Sequence, residues 1–321
     1  MKRVAVLLLI IVATIIVVLG LLFALTYPRY HSEMEAAKQR LAAGSQIFKT
    51  GQAILEYAVS GSGTPVLLIH GAGGGYDQGL WAGKVFLSNS YQLIAVSRFG
   101  YLRTPIPENA SIKGQAALYT ALLDHLNIKE VIVIGVSAGG PSAMQFANDY
   151  PARTSALILL SAVSMGRAPG DQDTFITDVI HTIQQSDYAY WLMVSYMQST
   201  FLEFLGVPND VYRSFGPGQK ILAQEMLDIM HPISLRYRGT INDGKMVDRY
   251  GISTDSIVSP TLILHARDDA LVSYSHAENS HHQIEQSKLI IFDTGGHAML
   301  SQMDKARDSV RLFLIDPAGS N

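Results

Sequence analysis

The sequence contains no cysteine among its 321 residues. This absence excludes disulfide bonds, thiolate metal sites and cysteine nucleophiles. Charged residues are also scarce, at 16% of the chain, and the net charge is −3 with no long basic or acidic run. Because nucleic-acid binding requires concentrated lysine and arginine, the composition predicts no nucleic-acid partner.

Motifs for nucleotides and metals are missing as well. No G-x-x-x-x-G-K-[ST] sequence occurs in the chain, which excludes a P-loop. In "HGAGGG" (residues 70–75), Tyr76 stands where a dinucleotide motif needs its third glycine, and in "GVSAGG" Ser137 replaces the middle glycine. The clusters "HARDD" and "SHHQ" have no partner at metal-binding spacing. The sequence therefore predicts no cofactor and no metal.

One long apolar run is present near the N-terminus. Residues 4–26 carry no charge, Lys2 and Arg3 precede them, and "YPRY" follows. A helix of this length spans about 34 Å at ~1.5 Å per residue, enough for a hydrocarbon core of ~30 Å. A cleaved signal peptide is the alternative, but its apolar region is shorter and ends in a small-x-small site, which "LFALTYP" does not offer.

We therefore predict a transmembrane anchor over residues 1–29, a polar, alanine-rich linker or stalk over 30–45, and a globular domain over 46–321. The two basic residues before the run favour a cytoplasmic N-terminus, with the domain on the extracytoplasmic side.

Short apolar segments alternate with segments of helical spacing in the globular part. This alternation is typical of a mostly parallel sheet with helices on both faces. Residues 112–128 predict a helix, whose apolar face comprises Ala117, Leu118, Ala121, Leu122 and Leu126.

The alternation stops between residues 164 and 251. That insertion is rich in aromatic residues and predicts a helical cap over one end of the sheet. Its aromatic residues are Phe175, Tyr188, Tyr190, Trp191, Tyr196, Phe201, Phe204, Tyr212 and Phe215.

A serine stands at the end of an apolar strand in "VIVIGVSAGG". The residues around Ser137 fit G-x-S-x-G between a strand and a helix, a sharp turn that exposes the hydroxyl above the sheet. A tight turn in which Ser137 only caps the helix is the alternative. A serine hydroxyl becomes a nucleophile when a base takes its proton and a carboxylate orients that base.

Candidates for the base and the acid follow later strands, in the chain order Ser, Asp, His. Asp268 and Asp269 both end the strand in "LILHARDDALV". We assign Asp269 as the acid, because the following "ALV" resembles the stretch that usually follows it, and keep Asp268 as the alternative. His297, in the glycine-flanked loop of "IIFDTGGHAML", is the predicted base.

An oxyanion needs two N–H donors. One is predicted at Ala138, directly after the serine. The other is expected in the loop 70–75, at Ala72 or, as second choice, Gly73. His70 is interpreted as a structural hydrogen-bonding residue at the end of its strand.

Together, and in this order, these motifs resemble the α/β-hydrolase superfamily over residues 45–315. The resemblance implies an eight-stranded, mostly parallel sheet with a cap, and hydrolysis of an ester-like bond without a cofactor. The serine at the elbow disfavours the branches with an aspartate nucleophile, which are the haloalkane dehalogenases and epoxide hydrolases. Arg98, in "VSRFGYLRTP", is expected to form a structural ion pair.

We thus expect a membrane-anchored serine hydrolase, similar to carboxylesterases and lipases. Its small-molecule ester would place an apolar acyl group in a pocket of the cap that includes Met193 and Met197. Cleavage of a carbon–carbon bond next to a carbonyl, or perhydrolysis, uses the same triad. A non-catalytic hydrolase-like binding module at the membrane is the alternative from another class.

Overall fold

The computed structural model describes residues 2–51, 53–166, 182–250 and 252–317. Its internal contacts divide the chain into two compact units, Met1–Ala43 and Gly44–Asn321. The second unit begins close to residue 46, where the globular domain is predicted to start.

The first unit is one long helix, α1 (Lys2–Ala43). Its most apolar window has a mean hydropathy of 3.4, and none of that window is buried within the protein. By length and composition this helix could cross a membrane or act as a signal sequence. The helix continues through Pro28 and through most of the segment predicted as a linker, where Arg29 and Glu33 form an ion pair one turn apart.

The second unit is built on a sheet with eight strands among the described residues. Its strands are β1 (Gln46–Lys49), β2 (Ile54–Ser60), β3 (Thr64–Ile69), β4 (Tyr91–Val96), β5 (Val131–Val136), β6 (Thr154–Leu160), β7 (Thr261–Ala266) and β8 (Ser287–Phe292). The order across the sheet is β1-β2-β4-β3-β5-β6-β7-β8. The pairs β1–β2 and β2–β4 are antiparallel, and the pairs from β4 to β8 are parallel. The mostly parallel sheet predicted from the sequence is confirmed.

Helices connect the strands and cover the sheet. Those outside the insertion are α2 (Tyr76–Phe86), α3 (Ile112–His125), α4 (Gly140–Asp149), α10 (Ser275–Gln283) and α11 (Met303–Ile315). Helices α3 and α4 pack against each other, and α2 packs against α11. Strands β5 and β7 have almost continuous apolar sequences because parallel strands are covered on both faces.

The buried face of α3 differs from the predicted one. Ala117 is exposed, whereas Ala116, Tyr119 and Leu123 are fully buried beside the expected Leu122. The prediction followed the small and branched apolar residues alone. The predicted Leu118 and Leu122 are both buried, and the Tyr119 ring packs beside them in the main core.

The insertion between β6 and β7 is helical, as predicted, in its described part. It contains α5 (Asp187–Tyr196), α6 (Gln198–Phe204), α7 (Asn209–Arg213), α8 (Pro217–Asp228) and α9 (Tyr237–Tyr250). Tyr190, Trp191, Phe201 and Phe215 are buried. All but Trp191 belong to one apolar cluster, the cap core, which also includes Val85, Leu300 and Met303 of the sheet domain. Phe175 lies outside the described residues.

Two buried ion pairs join the cap to the sheet domain. The Arg236 guanidinium, between α8 and α9, donates to both Asp77 carboxylate oxygens at 2.9 and 2.8 Å. Arg98, for which a structural ion pair is expected, donates to Asp243 of α9 at 2.8 Å. Removing one partner of a buried pair costs about 3–5 kcal/mol because the remaining charge stays buried. These contacts fix the cap over the carboxyl ends of the strands.

Candidate active site

Three side chains meet where β5, β7 and β8 end. Ser137 follows β5, Asp269 lies in the loop after β7, and His297 lies in the loop after β8. Because these strands are parallel and β6 alone separates β5 from β7, the three loops leave the same edge of the sheet. Residues that are 160 positions apart in sequence, Ser137 and His297, are thereby in direct contact.

The three side chains form a continuous chain of hydrogen bonds. His297 Nε2 lies 2.9 Å from Ser137 Oγ, and His297 Nδ1 lies 2.8 Å from Asp269 Oδ2. Since an ionised carboxylate only accepts hydrogen bonds, Nδ1 carries the imidazole hydrogen and Nε2 is free to accept the serine hydrogen. This tautomer is the one that a general base requires.

Asp269 is a buried but ionised acid. Its side chain is completely shielded from solvent, and Oδ1 accepts the amide hydrogens of Leu271 and Val272, both at 2.9 Å. Burial by itself raises the pKa of the carboxyl. The charge of His297 and the hydrogen bonds from His265, His297 and Val272 outweigh that effect and hold the Asp269 pKa well below its ordinary value.

Asp268 has a different position. Its two carboxylate oxygens accept the amide hydrogens of Gly295 and Gly296, at 3.1 and 2.9 Å. Asp268 therefore fixes the backbone of the loop that carries His297, while Asp269 contacts the imidazole. Both aspartates of "RDD" thus contribute to this site: Asp268 binds backbone amides, and Asp269 binds the His297 ring.

The turn at Ser137 is strained and tightly packed. Ser137 has a φ of 51°, in the left-handed region, which costs roughly 1–3 kcal/mol for a residue other than glycine. Its carbonyl accepts the Val163 amide at 3.0 Å. At Gly139, a Cβ atom would lie 2.6 Å from the His70 carbonyl oxygen and would also strike that of Ile69. The missing side chain lets the serine turn approach the neighbouring strand β3.

The loop 70–75 is held by contacts on both sides. Gln78 Oε1 accepts the Gly71 amide at 2.9 Å, and Thr240 of the cap accepts the Gly73 amide at 3.3 Å. The Gly73 N–H, second choice as an oxyanion donor, is thus already engaged. The amides of Ala72 and Ala138 have no protein acceptor among the described residues.

His70 has the surroundings expected of a structural residue. Its Nδ1–H donates to the Gly71 carbonyl at 2.7 Å, and its Nε2 accepts the Arg98 amide hydrogen at 3.0 Å. Burial, followed by the charge of Arg98, lowers the pKa of His70 well below its ordinary value. A neutral His70 connects the loop 70–75 to the loop after β4.

The cap reaches the site through backbone and apolar contacts. The Gly206 carbonyl accepts the amide hydrogen of His297 at 2.9 Å. Met230 and Ile233 lie beside Gly73. The expectation that Met193 and Met197 form the pocket is not supported by their positions, because Met193 packs within the cap core and Met197 is half exposed at the end of α5.

Several of these contacts carry no signal in the sequence. Thr240 and Gly73 are 167 positions apart, and Gln78 stands in an ordinary helical segment. His265 lies four residues before Asp269, a spacing that could have drawn attention to it. In the described ranges, no group of three or more histidine, aspartate or glutamate residues could hold a metal ion.

The family follows from comparison with known proteins. A family model described as the alpha/beta hydrolase fold matches residues 64–215, and one described as TAP-like protein matches residues 244–319. The chain belongs to the α/β-hydrolase superfamily.

Relatives of this α/β-hydrolase include proteins that match most of its length. An uncharacterized hydrolase of Bacillus subtilis is 28% identical over 260 residues, 76% of this chain and 88% of the relative. A 2-hydroxy-6-oxo-2,4-heptadienoate hydrolase of Pseudomonas putida is 26% identical over 277 residues, covering 78% and 88%. A solved alpha/beta hydrolase fold protein from Nakamurella multipartita has a TM-score of 0.71 at 25% identity, over 86% of this chain and all of that one. The protein is accordingly a hydrolase of this fold.

The close approach at Gly139 predicts a large effect of one methyl group. Gly139→Ala should destabilise the α/β-hydrolase by about 1–3 kcal/mol, because the obstructing atoms are backbone oxygens that cannot rotate away. Gly244→Ala is the matched control: it lies inside α9 with open space around the added methyl. That change should stabilise by about 0.5–1 kcal/mol. Urea denaturation measures both, and equal effects would refute the close approach.

Proposed function

We propose that this α/β-hydrolase cleaves carboxylic ester bonds through an acyl-enzyme formed on Ser137. The observation that carries the proposal is the chain of hydrogen bonds from Asp269 through His297 to Ser137, at 2.8 and 2.9 Å. These distances match those of a nucleophile, its general base and the acid that orients the base.

In the first half of the proposed reaction, Ser137 Oγ attacks the carbonyl carbon of the ester. Its proton passes to His297 Nε2, and the ionised Asp269 stabilises the resulting imidazolium. The N–H groups of Ala72 and Ala138 are assigned to the oxyanion of the tetrahedral intermediate. When the intermediate collapses, the carbon–oxygen bond to the alcohol breaks, and His297 gives its proton to the leaving oxygen.

In the second half, water replaces the alcohol. His297 removes a proton from the water as its oxygen attacks the acyl carbon, and the bond to Ser137 Oγ then breaks. The serine oxygen takes back the proton from His297, and the carboxylic acid product leaves. The low pKa of Asp269 favours this cycle because the acid stays charged while His297 gains and loses its proton.

The acyl group is assigned to the side of the site that the cap covers. Met230 and Ile233 are apolar side chains of the cap beside Gly73 in the loop 70–75, and both are buried. Apolar contacts of this kind favour an ester with an apolar acyl group.

Labelling with a fluorophosphonate tests the nucleophile. The full chain should react, and Ser137→Ala should abolish both labelling and, by about 10⁴-fold or more, the turnover of p-nitrophenyl esters. Ser253→Ala, at an exposed loop serine, is the control and should retain both. Labelling of the Ser137→Ala variant would assign the nucleophile to another residue, and an unreactive wild-type chain would favour a non-catalytic binding module.

The two aspartates should differ in their effect on activity. Asp269→Asn should lower kcat by about 10³–10⁴-fold, because the amide cannot stabilise the imidazolium and favours the wrong tautomer. Asp268→Asn keeps one oxygen acceptor for the loop at Gly295 and Gly296, so we expect a loss below about tenfold. Steady-state kinetics on one p-nitrophenyl ester compares them, and equal losses would contradict the assignment of the acid.

Cleavage of a carbon–carbon bond next to a ketone is the second candidate function. It is favoured by the 26% identity to a 2-hydroxy-6-oxo-2,4-heptadienoate hydrolase. Parallel assays with p-nitrophenyl esters and with a 2-hydroxy-6-oxo-dienoate distinguish the two reactions, since the better substrate shows the higher kcat/KM.

We further propose that α1 anchors the protein in a membrane, with the domain on the extracytoplasmic side. The apolar window with mean hydropathy 3.4 and the basic residues Lys2 and Arg3 support this arrangement. The protein should remain with the membrane fraction after carbonate extraction, and protease added outside spheroplasts should digest the domain. A soluble mature protein that starts beyond residue 29 would instead identify a cleaved signal.

A further inference from the structure

A second histidine contacts the proposed acid. His265 is the penultimate residue of β7 and is fully buried. Its Nε2 lies 3.1 Å from Asp269 Oδ2 and 2.8 Å from the Val272 carbonyl oxygen. The His265 ring therefore contacts both Asp269 and the loop that carries Asp269.

The partners of His265 fix its tautomer. A carbonyl oxygen and an ionised carboxylate both accept hydrogen bonds and have no hydrogen to give, so Nε2 must carry the hydrogen. The other ring nitrogen, Nδ1, is buried and has no hydrogen-bond partner within the described part of the chain. The polar contacts of this ring thus converge on Asp269 and its loop.

The oxygen that His265 contacts is the one that orients the base. Asp269 Oδ2 also accepts the Nδ1 hydrogen of His297 at 2.8 Å, while Oδ1 is occupied by the amides of Leu271 and Val272. The loop amides hold Oδ1, whereas Oδ2 contacts two imidazole rings, those of His297 and His265. The His265 N–H, which it shares with the Val272 carbonyl oxygen, reaches Oδ2 from strand β7, next to the edge strand β8.

We propose that His265 is a positioning residue for Asp269. Its Nε2–H fixes Oδ2 in the plane in which His297 is presented to Ser137, and the carboxylate cannot turn about its Cβ–Cγ bond without losing this contact. His265 gains no proton in the reaction and touches no substrate. The inference rests on the proposed function and adds a residue to it.

Two amide substitutions separate positioning from mere packing. A glutamine at this position can place an N–H near the former Nε2, whereas an asparagine is too short and places its N–H near Nδ1. In the full chain, His265→Asn should lower kcat on a p-nitrophenyl ester by about 10- to 100-fold, the effect of losing a hydrogen bond to a charged group. His265→Gln should recover most of that loss.

KM should stay unchanged in both variants because His265 is fully buried and acts only through Asp269. His265→Met, which has no N–H donor, is the donor-free variant and also replaces the asparagine variant should that one fail to fold. It should show the same loss in kcat. Equal kcat values for the glutamine variant and the donor-free variant would overturn the proposal.

A double-mutant cycle tests the route through Asp269. In an Asp269→Asn background, the difference between the glutamine and the donor-free variant should shrink to below about threefold, because the carboxylate they act on is gone. The same ratio in both backgrounds would show a packing effect and overturn the proposal. Failure of the proposed function is separate, since it appears as unchanged labelling and turnover in Ser137→Ala whatever His265 does.

Discussion

The hydrogen bonding of one buried carboxylate determines the geometry of this site. Asp269 has no solvent contact, and an unpaired charge in such a place would cost several kcal/mol. Four N–H groups compensate it: two amides of its own loop, His265 from β7 and His297 from the loop after β8. The same bonds that make the buried charge tolerable connect the ends of β7 and β8. The ionised state of Asp269 and the position of His297 therefore have one cause.

Backbone contacts determine the positions of the other parts of the site. Gly295 and Gly296, with φ of 154° and 60°, turn the loop so that their amides reach Asp268 and the His297 ring reaches Asp269. On the other side of His297, Gly139 lets the strained Ser137 turn lie against β3. A side chain at Gly139 would separate these segments, and left-handed backbone at Gly295 and Gly296 disfavours other residues. These glycines allow backbone segments to approach each other closely. That approach sets the distances between side chains that are far apart in sequence.

The parts of this site that could be predicted from the sequence are those marked by a pattern of neighbouring residues. The apolar run before Ser137 and the glycines around it identify a strand-to-turn-to-helix element, and the parallel sheet follows from the alternation of strands and helices. The two adjacent aspartates are chemically identical, and what separates Asp268 from Asp269 is the direction each side chain takes from the loop. The ion pair between Arg236 and Asp77 spans 159 positions, so no local pattern could predict it. The same holds for the apolar contacts of Met230 beside Gly73.

Hydrogen bonds and an ion pair join the cap to the loop that carries His297 and to the region of the loop 70–75. The Gly206 carbonyl holds the amide of His297, Thr240 holds the amide of Gly73, and Arg236 pairs with Asp77 directly after the loop 70–75. Changes at these cap positions would move His297 or the loop 70–75, so they cannot alter substrate preference alone. Exposed cap residues such as Tyr196 and Ile221 have no such constraint. Since a fold hosts many activities and function depends on its site, differences in specificity within this architecture should arise at cap side chains such as Met230 and Ile233, which lie beside Gly73 but make none of these bonds.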